Sequence, residues 1–408
     1  MGSSNAREMQ EIESVEGFTA GGRRLLFTSA NRELRASALS KPLTLPPHGG
    51  HLPDSLFQQA IQNALEEARR AGQVNPIVMG AIPFDPHAPS CLYVPQHYAW
   101  QARSEAPSPT ALQYAPPKLV EQRSFPDEGG FKRAVEQAIV NFGFGELRKA
   151  VLSVVHELRF AAPLDVERLL DGLAAQNPIG YRFRIPVEDG SELIGASPEL
   201  LLCKQAERVV SNPLAGTAKR QPVPESDREA GERLMRSTKD LYEHRLVIDE
   251  VVRVLRPYCT ELVVPEHPAL LATPTLWHLS TRIEGQLREP TTTALQLACQ
   301  LHPTPAVCGY PTQDARHLIQ LIEPFERGLF TGMVGWSDMQ GNGEWVVTIR
   351  CGNVKRDVIR LFAGAGIVAA SHPEAEWEEV QAKLGTMRQA CGLSVDEGVS
   401  NATSGVTS

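Results

Sequence analysis

Apolar and polar positions along this chain follow two periods, one helical and one extended. Near the start, "RRLLFTSANRELRASA" alternates around a polar centre and predicts a hairpin. Asp54 is placed to cap an amphipathic helix, "SLFQQAIQNALEEARRAG", which Gly72 stops. "PIVMGAIPF" is apolar throughout and predicts a buried strand. From Ser104 to Asp127 the chain is rich in Pro, Ser and Gln, the composition of a long surface connection.

The pattern then becomes denser. "FKRAVEQAIVNF" and "LDVERLLDGLAAQ" have helical spacing, whereas "KAVLSVVHELRF" is β-branched and "YRFRIPV" alternates, both as strands do. The longest helical pattern runs from Glu225 to about Arg256. Extended character follows in "LWHLSTRIEGQL", and helical character in "ALQLACQ" and "DARHLIQLI". Three strand-like runs come next: "GLFTGMVGWSD", "GEWVVTIRCGNV" and "VIRLFAGAGIV". The "QGNG" at 340–343 is a hairpin turn between the first two. A last helix covers Pro373 to about Gln389, and residues 394–408 have the polar composition of a disordered tail. Strands come in runs that helices interrupt, without βαβ alternation. The predicted fold class is α+β with antiparallel sheets, in one large domain over residues 1–393.

Composition narrows the function. The net charge of −8 argues against a nucleic-acid or anionic-membrane surface as partner. Seven scattered cysteines without a CxxC fit reduced thiols, and the opening residues carry no apolar leader core, so a cytoplasmic location is expected. No apolar run is long enough to span a membrane. The histidines show no HxH or HxxxH spacing, which speaks against a zinc site.

Several polar residues sit in unusual company. Glu199, in "ELIGASPELLL", lies between the Ser197-Pro198 corner and three leucines, where a charged carboxylate is costly. It is either at the surface through the turn or placed to hold a proton. Asp240 and Glu243 are three apart on one helix, as are Glu376 and Glu379 on the last. Such pairs share a helix face and are usually solvated surface, but two such faces meeting would suit a hard cation such as Mg²⁺. Lys149 opens a strand, ordinarily a solvated edge position; inside a pocket it could serve as a base. "FAGAGIVAAS" holds G-x-G-x-x-A without a βαβ unit. It reads as glycines that let backbone approach a ligand carboxylate rather than as a dinucleotide fingerprint. Arg350 in "VTIRC" offers a bidentate contact to such a group, or is a surface arginine.

Taken together, ten segments resemble the chorismate-utilising enzymes, most of all the isochorismate synthases of catecholate siderophore (enterobactin) biosynthesis. They are "KAVLS", "LIGASPELL", "SNPLAGTAKR", "KDLYEHRLVIDEV", "TPTLWHLST", "LHPTPAVCGYP", "EPFERGLFTGMVGWSD", "GNGEWVVTIRC", "RLFAGAGIV" and "EWEEVQAKLGTM", in family order over roughly 147–393. The resemblance implies two packed β-sheets with helices outside, a magnesium cofactor, chorismate as substrate and a monomer. An enzyme that consumes isochorismate would act downstream. By the same carry-over Lys149 is the general base and Glu199 the general acid. Glu243 and Glu379 are the Mg²⁺ ligands, and Asp240 and Glu376 reach the metal through water. Gly216 and Thr217 lie near the ring carboxylate; Arg350, Gly364 and Lys383 bind the enolpyruvyl carboxylate; His278, Ala306, Phe330 and Ile349 line the pocket.

Where family members often carry arginine after "KVVLS", this chain has Val154. Five residues beyond Lys149, it points to the opposite strand face, and a structural salt bridge would be absent here. Salicylate synthases, which also eliminate pyruvate, tend to carry Tyr and Leu where this chain has Phe330 and Ile349. That difference leans towards release of isochorismate. The alternatives are a salicylate synthase, or a chorismate-binding protein without activity.

Overall fold

The computed structural model describes residues 23–39, 41–103 and 116–393. In chain order the elements begin with β1 (Leu25–Thr28), β2 (Arg32–Leu39), α1 (Leu56–Arg70), β3 (Ile77–Ile82), β4 (Cys91–Tyr93), β5 (Pro95–Ala102) and β6 (Leu119–Phe125). Next come α2 (Glu128–Asn141), β7 (Lys149–Phe160), α3 (Val166–Gln176), β8 (Tyr181–Pro186), β9 (Glu192–Ser197), β10 (Leu200–Gln205), β11 (Arg208–Asn212) and β12 (Leu214–Lys219). Then follow α4 (Pro224–Leu234), α5 (Thr238–Leu255), β13 (Cys259–Val263), β14 (Ala269–Ala272), β15 (Leu276–Ser280), β16 (Ile283–Leu287) and α6 (Ala294–Leu301). The chain ends with β17 (Gly309–Tyr310), α7 (Thr312–Ile322), β18 (Met333–Asp338), β19 (Gly343–Val347), β20 (Cys351–Lys355), β21 (Val358–Val368) and α8 (Pro373–Ala390).

Two wide antiparallel sheets dominate. One has ten strands in the order β17-β7-β21-β20-β9-β8-β1-β2-β5, with β6 also on the edge of β7; the other has eight, in the order β13-β16-β11-β10-β19-β18-β3-β4. The α+β class and the pair of sheets match the expectation, and a small third sheet, β12-β15-β14, adds to it. The layers follow from alternation. On β3, Ile77, Met79 and Ala81 face the space between the wide sheets, while Val78 and Ile82 face α1, α5 and α6. Both faces are buried, which is why the sequence there is apolar without interruption. A separate cluster packs α2, α3, α7 and α8 onto the outer face of the ten-stranded sheet.

Four local readings change. Ser55 rather than Asp54 caps α1; its hydroxyl accepts from the Gln58 N–H, and Phe57, Ile61 and Leu65 form the buried stripe. The stretch from 119 to 125 is β6, paired along β7, so the connection predicted over Ser104–Asp127 contains a strand; residues 104–115 lie outside the described residues. The tail at 394–408 lies outside them too. The long pattern from Glu225 breaks at 235–237, where Ser237 caps a new helix: its hydroxyl accepts from the Asp240 N–H and donates to the Asp240 carboxylate. Finally, "GEWVVTIRCGNV" and "LWHLSTRIEGQL" are each two strands that change sheet midway.

Those sheet changes shape the molecule's interior. β9 pairs with β20 in the wider sheet, and the continuations β10 and β19 pair in the other. One ladder thus bends from sheet to sheet, with Pro198-Glu199 at one corner and 348–350 at the other. The Val347 N–H donates to the Glu199 carbonyl and the Ala196 N–H to the Arg350 carbonyl, joining the corners. Arg350 has φ of 50°, a left-handed conformation that non-glycine residues rarely adopt. A second ladder, β11–β16, bends likewise into β12–β15.

Candidate active site

The corners open onto a cavity floored by β7 and β21. These strands pair in register, Val368 opposite Lys149, Gly366 opposite Val151 and Gly364 opposite Ser153. Residues two apart share a face. Phe362, Gly364 and Gly366 therefore face the site, while Ala363, Ala365 and Ile367 pack under the helices. The G-x-G is thus a strand floor stripped of side chains. A Cβ on Gly366 would sit 2.1 Å from Glu243 Oε1 and 2.9 Å from Lys149 Cε.

The walls hold most of the residues singled out from the sequence. Gly216, Thr217, His278, Ala306, Phe330, Ile349, Arg350, Gly364 and Lys383 all line the cavity, together with Glu199, Glu243 and Glu379. Lys149 is fully buried behind this surface, with Nζ 2.9 Å from Glu243 Oε1. The pair is close but not aligned as a hydrogen bond, so the nitrogen retains bonding capacity. Asp240 and Glu376 do not line the cavity, whereas Glu243 and Glu379 do. Val154 lies on the other strand face, fully buried in the cluster under the helices.

Glu199 is buried, 3% exposed. Burial pushes its carboxyl up to about 7, against the opposing pull of the Leu214 N–H, Lys149, Arg350 and Lys383. Glu243 is also buried, but Lys149, Lys239 and Lys383 outweigh the burial and hold it below the usual carboxylate range. Two glutamates in one cavity are thereby shifted in opposite directions. Burial draws the Arg350 guanidinium down to about 10. Burial, with Arg350 and Lys383, keeps His278 far below its ordinary value and hence neutral. His278 Nε2 faces Arg350 Nη2 at 3.5 Å, and Nδ1 lies 3.2 Å from Thr217 Oγ1. Arginine only donates, so Nε2 accepts and Nδ1 carries the proton.

The acidic pairs of α5 and α8 converge. Lys383 Nζ donates to the Gly364 carbonyl at 2.8 Å and pairs with Glu379 at 2.5 Å. Lys239 pairs with Glu376 at 2.7 Å. Burial first, then like charge from Glu379, raises Glu376; burial also raises Asp240, with Glu243 and Glu379 adding to it. Glu376 Oε2 is buried without a hydrogen-bond partner. Among the described residues no three His, Cys, Asp or Glu side chains are already gathered around one point. Even so, the donors are all carboxylate oxygens, mutually repelling and one of them orphaned. That chemistry fits a hard divalent cation.

Sequence reading missed Lys239, although it adjoins Asp240, as well as Val151, Thr331 and Phe362, which also line the cavity. The period of two along β7 and β21 would have found Val151 and Phe362. The i, i+4 spacing to Glu243 on α5 was a signal for Lys239, but its ion pair with Glu376 on another helix was not legible.

The chain belongs to the chorismate binding enzyme family, whose sequence model matches residues 92–392. It is 44% identical over 397 residues to the isochorismate synthase EntC of Escherichia coli K12, covering 96% of this chain and 100% of that one. It is 45% identical over 373 residues to the isochorismate synthase DhbC of Bacillus subtilis, covering 90% and 93%. The crystal structure of DhbC from Bacillus anthracis superposes with a TM-score of 0.84 at 42% identity, over 93% of this chain and 98% of that one. No helix among the described residues is long and apolar enough to cross a membrane.

Proposed function

We propose that this protein is a Mg²⁺-dependent isochorismate synthase that supplies isochorismate for siderophore biosynthesis, as a cytoplasmic monomer. The observation that carries the reading is Glu199. A buried carboxyl at about 7, in a cavity shared with Arg350 and Lys383, is suited to donate a proton beside a bound anion.

Chorismate is a dianion with an allylic hydroxyl at C4. Lys149 is the base that takes a proton from water as the water oxygen bonds to C2. The two ring double bonds each move by one position, and the C4–O bond breaks. Glu199 gives its proton to the departing oxygen, which leaves as water. One water enters and one departs, so the product is an isomer of the substrate. Arg350 and Lys383 hold the enolpyruvyl carboxylate, with the Gly364 backbone beside it, and so orient the ring. Gly216 and Thr217 lie at the ring carboxylate. Neutral His278 keeps the Arg350 guanidinium in place without adding charge.

Glu243 and Glu379 would hold the Mg²⁺, with Asp240 and Glu376 reaching it through water; when bound, the ion supplies positive charge to the ring carboxylate. Phe330 and Ile349 on the wall support release of isochorismate without elimination of pyruvate. The test is chromatography of the products from chorismate with Mg²⁺. Isochorismate is expected, and its formation should stop when the metal is chelated. Salicylate and pyruvate as main products, or no consumption of chorismate, would overturn the reading.

A further inference from the structure

β7 carries Lys149 and part of the cavity floor, yet one of its edges is incomplete. β21 pairs along its whole length on one side. On the other, β17 reaches only Lys149 and Ala150, and β6 pairs from Val155 onward. The Val151 N–H still donates to the Cys308 carbonyl at 2.8 Å, but from the Val151 carbonyl to residue 154 the edge is closed by side chains. The Ser153 N–H donates to Glu323 Oε1 at 2.8 Å, and Arg327 Nη2 donates to the Val151 carbonyl at 2.7 Å.

The same guanidinium reaches further. Arg327 Nη1 donates to the Val307 carbonyl at 2.8 Å and to Thr331 Oγ1 at 3.2 Å. Glu323 holds it from behind, at 2.7 Å through Nε and 2.5 Å through Nη2. Both side chains are buried, at 3% and 4% exposure. Val151 of β7 and Val307 and Thr331 of two separate loops all line the cavity. A lysine would keep the charge but lacks the planar fork that serves three acceptors at once.

We propose that Arg327, held by Glu323, is a positioning residue: it closes the open edge of β7 and ties the apolar wall of the cavity to the strand that bears Lys149. The inference rests on the isochorismate synthase reading, because it assigns the wall the task of setting the ring against Lys149 and Glu199. A displacement of about 1 Å at such a wall lowers turnover on the order of 100-fold.

The experiment compares wild type, Arg327→Lys and the doubly neutral Glu323→Gln/Arg327→Met in parallel. Folding is followed by near-UV circular dichroism, and kcat, KM and the pyruvate released per isochorismate formed are measured. The double variant removes both buried charges together and so avoids an orphaned ion. The expected result is folded protein in which kcat falls about 100-fold with KM little changed and the pyruvate ratio raised. Folded variants with wild-type kcat and product ratio would overturn the inference. So would a loss of kcat that only tracks the unfolded fraction and disappears on cooling. Wild-type protein that forms no isochorismate would overturn the activity, and the inference with it.

Discussion

The two faces of the β7–β21 ribbon share a backbone and a register but do opposite work. On one face Ala150, Leu152 and Val154 meet Ala363, Ala365 and Ile367 under a roof of helices. That face contributes burial, and these six positions are all apolar. The other face presents Val151 and Ser153 opposite Gly366 and Gly364, with Lys149 beside them opposite Val368, and the emptied space admits Glu243 from α5. A strand can hold a buried charge where its neighbour gives up side chains and a distant helix supplies the counter-ion. Without the partner the burial would be prohibitive.

The comparison is broken most severely by removing the chemistry. Lys149→Ala and Glu199→Gln are each expected to lower kcat by about 1,000-fold or more while the protein stays folded. In Lys149→Ala, urea titration should also show a loss of about 3 kcal/mol, because Glu243 is left buried without its partner. Wild-type rates in either variant would refute the roles assigned. Val154→Arg tests the other face. A charge placed in that apolar cluster is buried, and a loss beyond about 4 kcal/mol is expected, read as a collapsed thermal transition. A stable variant would mean that the two faces are less distinct than their packing implies.

Gly366→Ala sharpens the contrast, because the added Cβ must displace the Glu243 carboxylate. A fall in kcat of about 100-fold is expected, with the fold retained by circular dichroism. Gentler still is the effect of pH. Catalysis needs protonated Glu199, whose carboxyl stands at about 7. Turnover should therefore fall roughly tenfold per unit on the alkaline side of 7. The sign for stability follows from the same shift. The raised folded-state value favours the protonated native form, so wild type loses stability as pH climbs from the ordinary carboxyl range through 7. Glu199→Gln should lack this component. Denaturant midpoints of the two proteins that run parallel across that range would exclude it.

Much of the molecule was legible in the sequence because alternation and helical spacing are local. The β1–β2 hairpin, β3, β7, β21 and α8 were readable from period alone, and the family resemblance named the residues that line the cavity. β6 was hidden, because its strand character comes from pairing with β7 and its own sequence is polar. The break between α4 and α5 was missed because charged helical residues continue through it, and only the Ser237 cap marks the restart.

What the sequence determined by itself is the inventory. It contains the apolar stripes that fix the layers, the glycines at alternate positions of β21, and the titratable residues at their spacings. Tertiary structure alone decided their electrical state. Glu199 and Glu243 are the same residue type, both buried. One is raised by burial, while the other is lowered because Lys149, Lys239 and Lys383 surround it. Lys239 is a local neighbour, four residues before Glu243 on α5, but Lys149 and Lys383 come from β7 and α8, far away in the chain. Most of what sets a carboxyl's affinity for its proton here is distance across the fold, which local pattern does not encode.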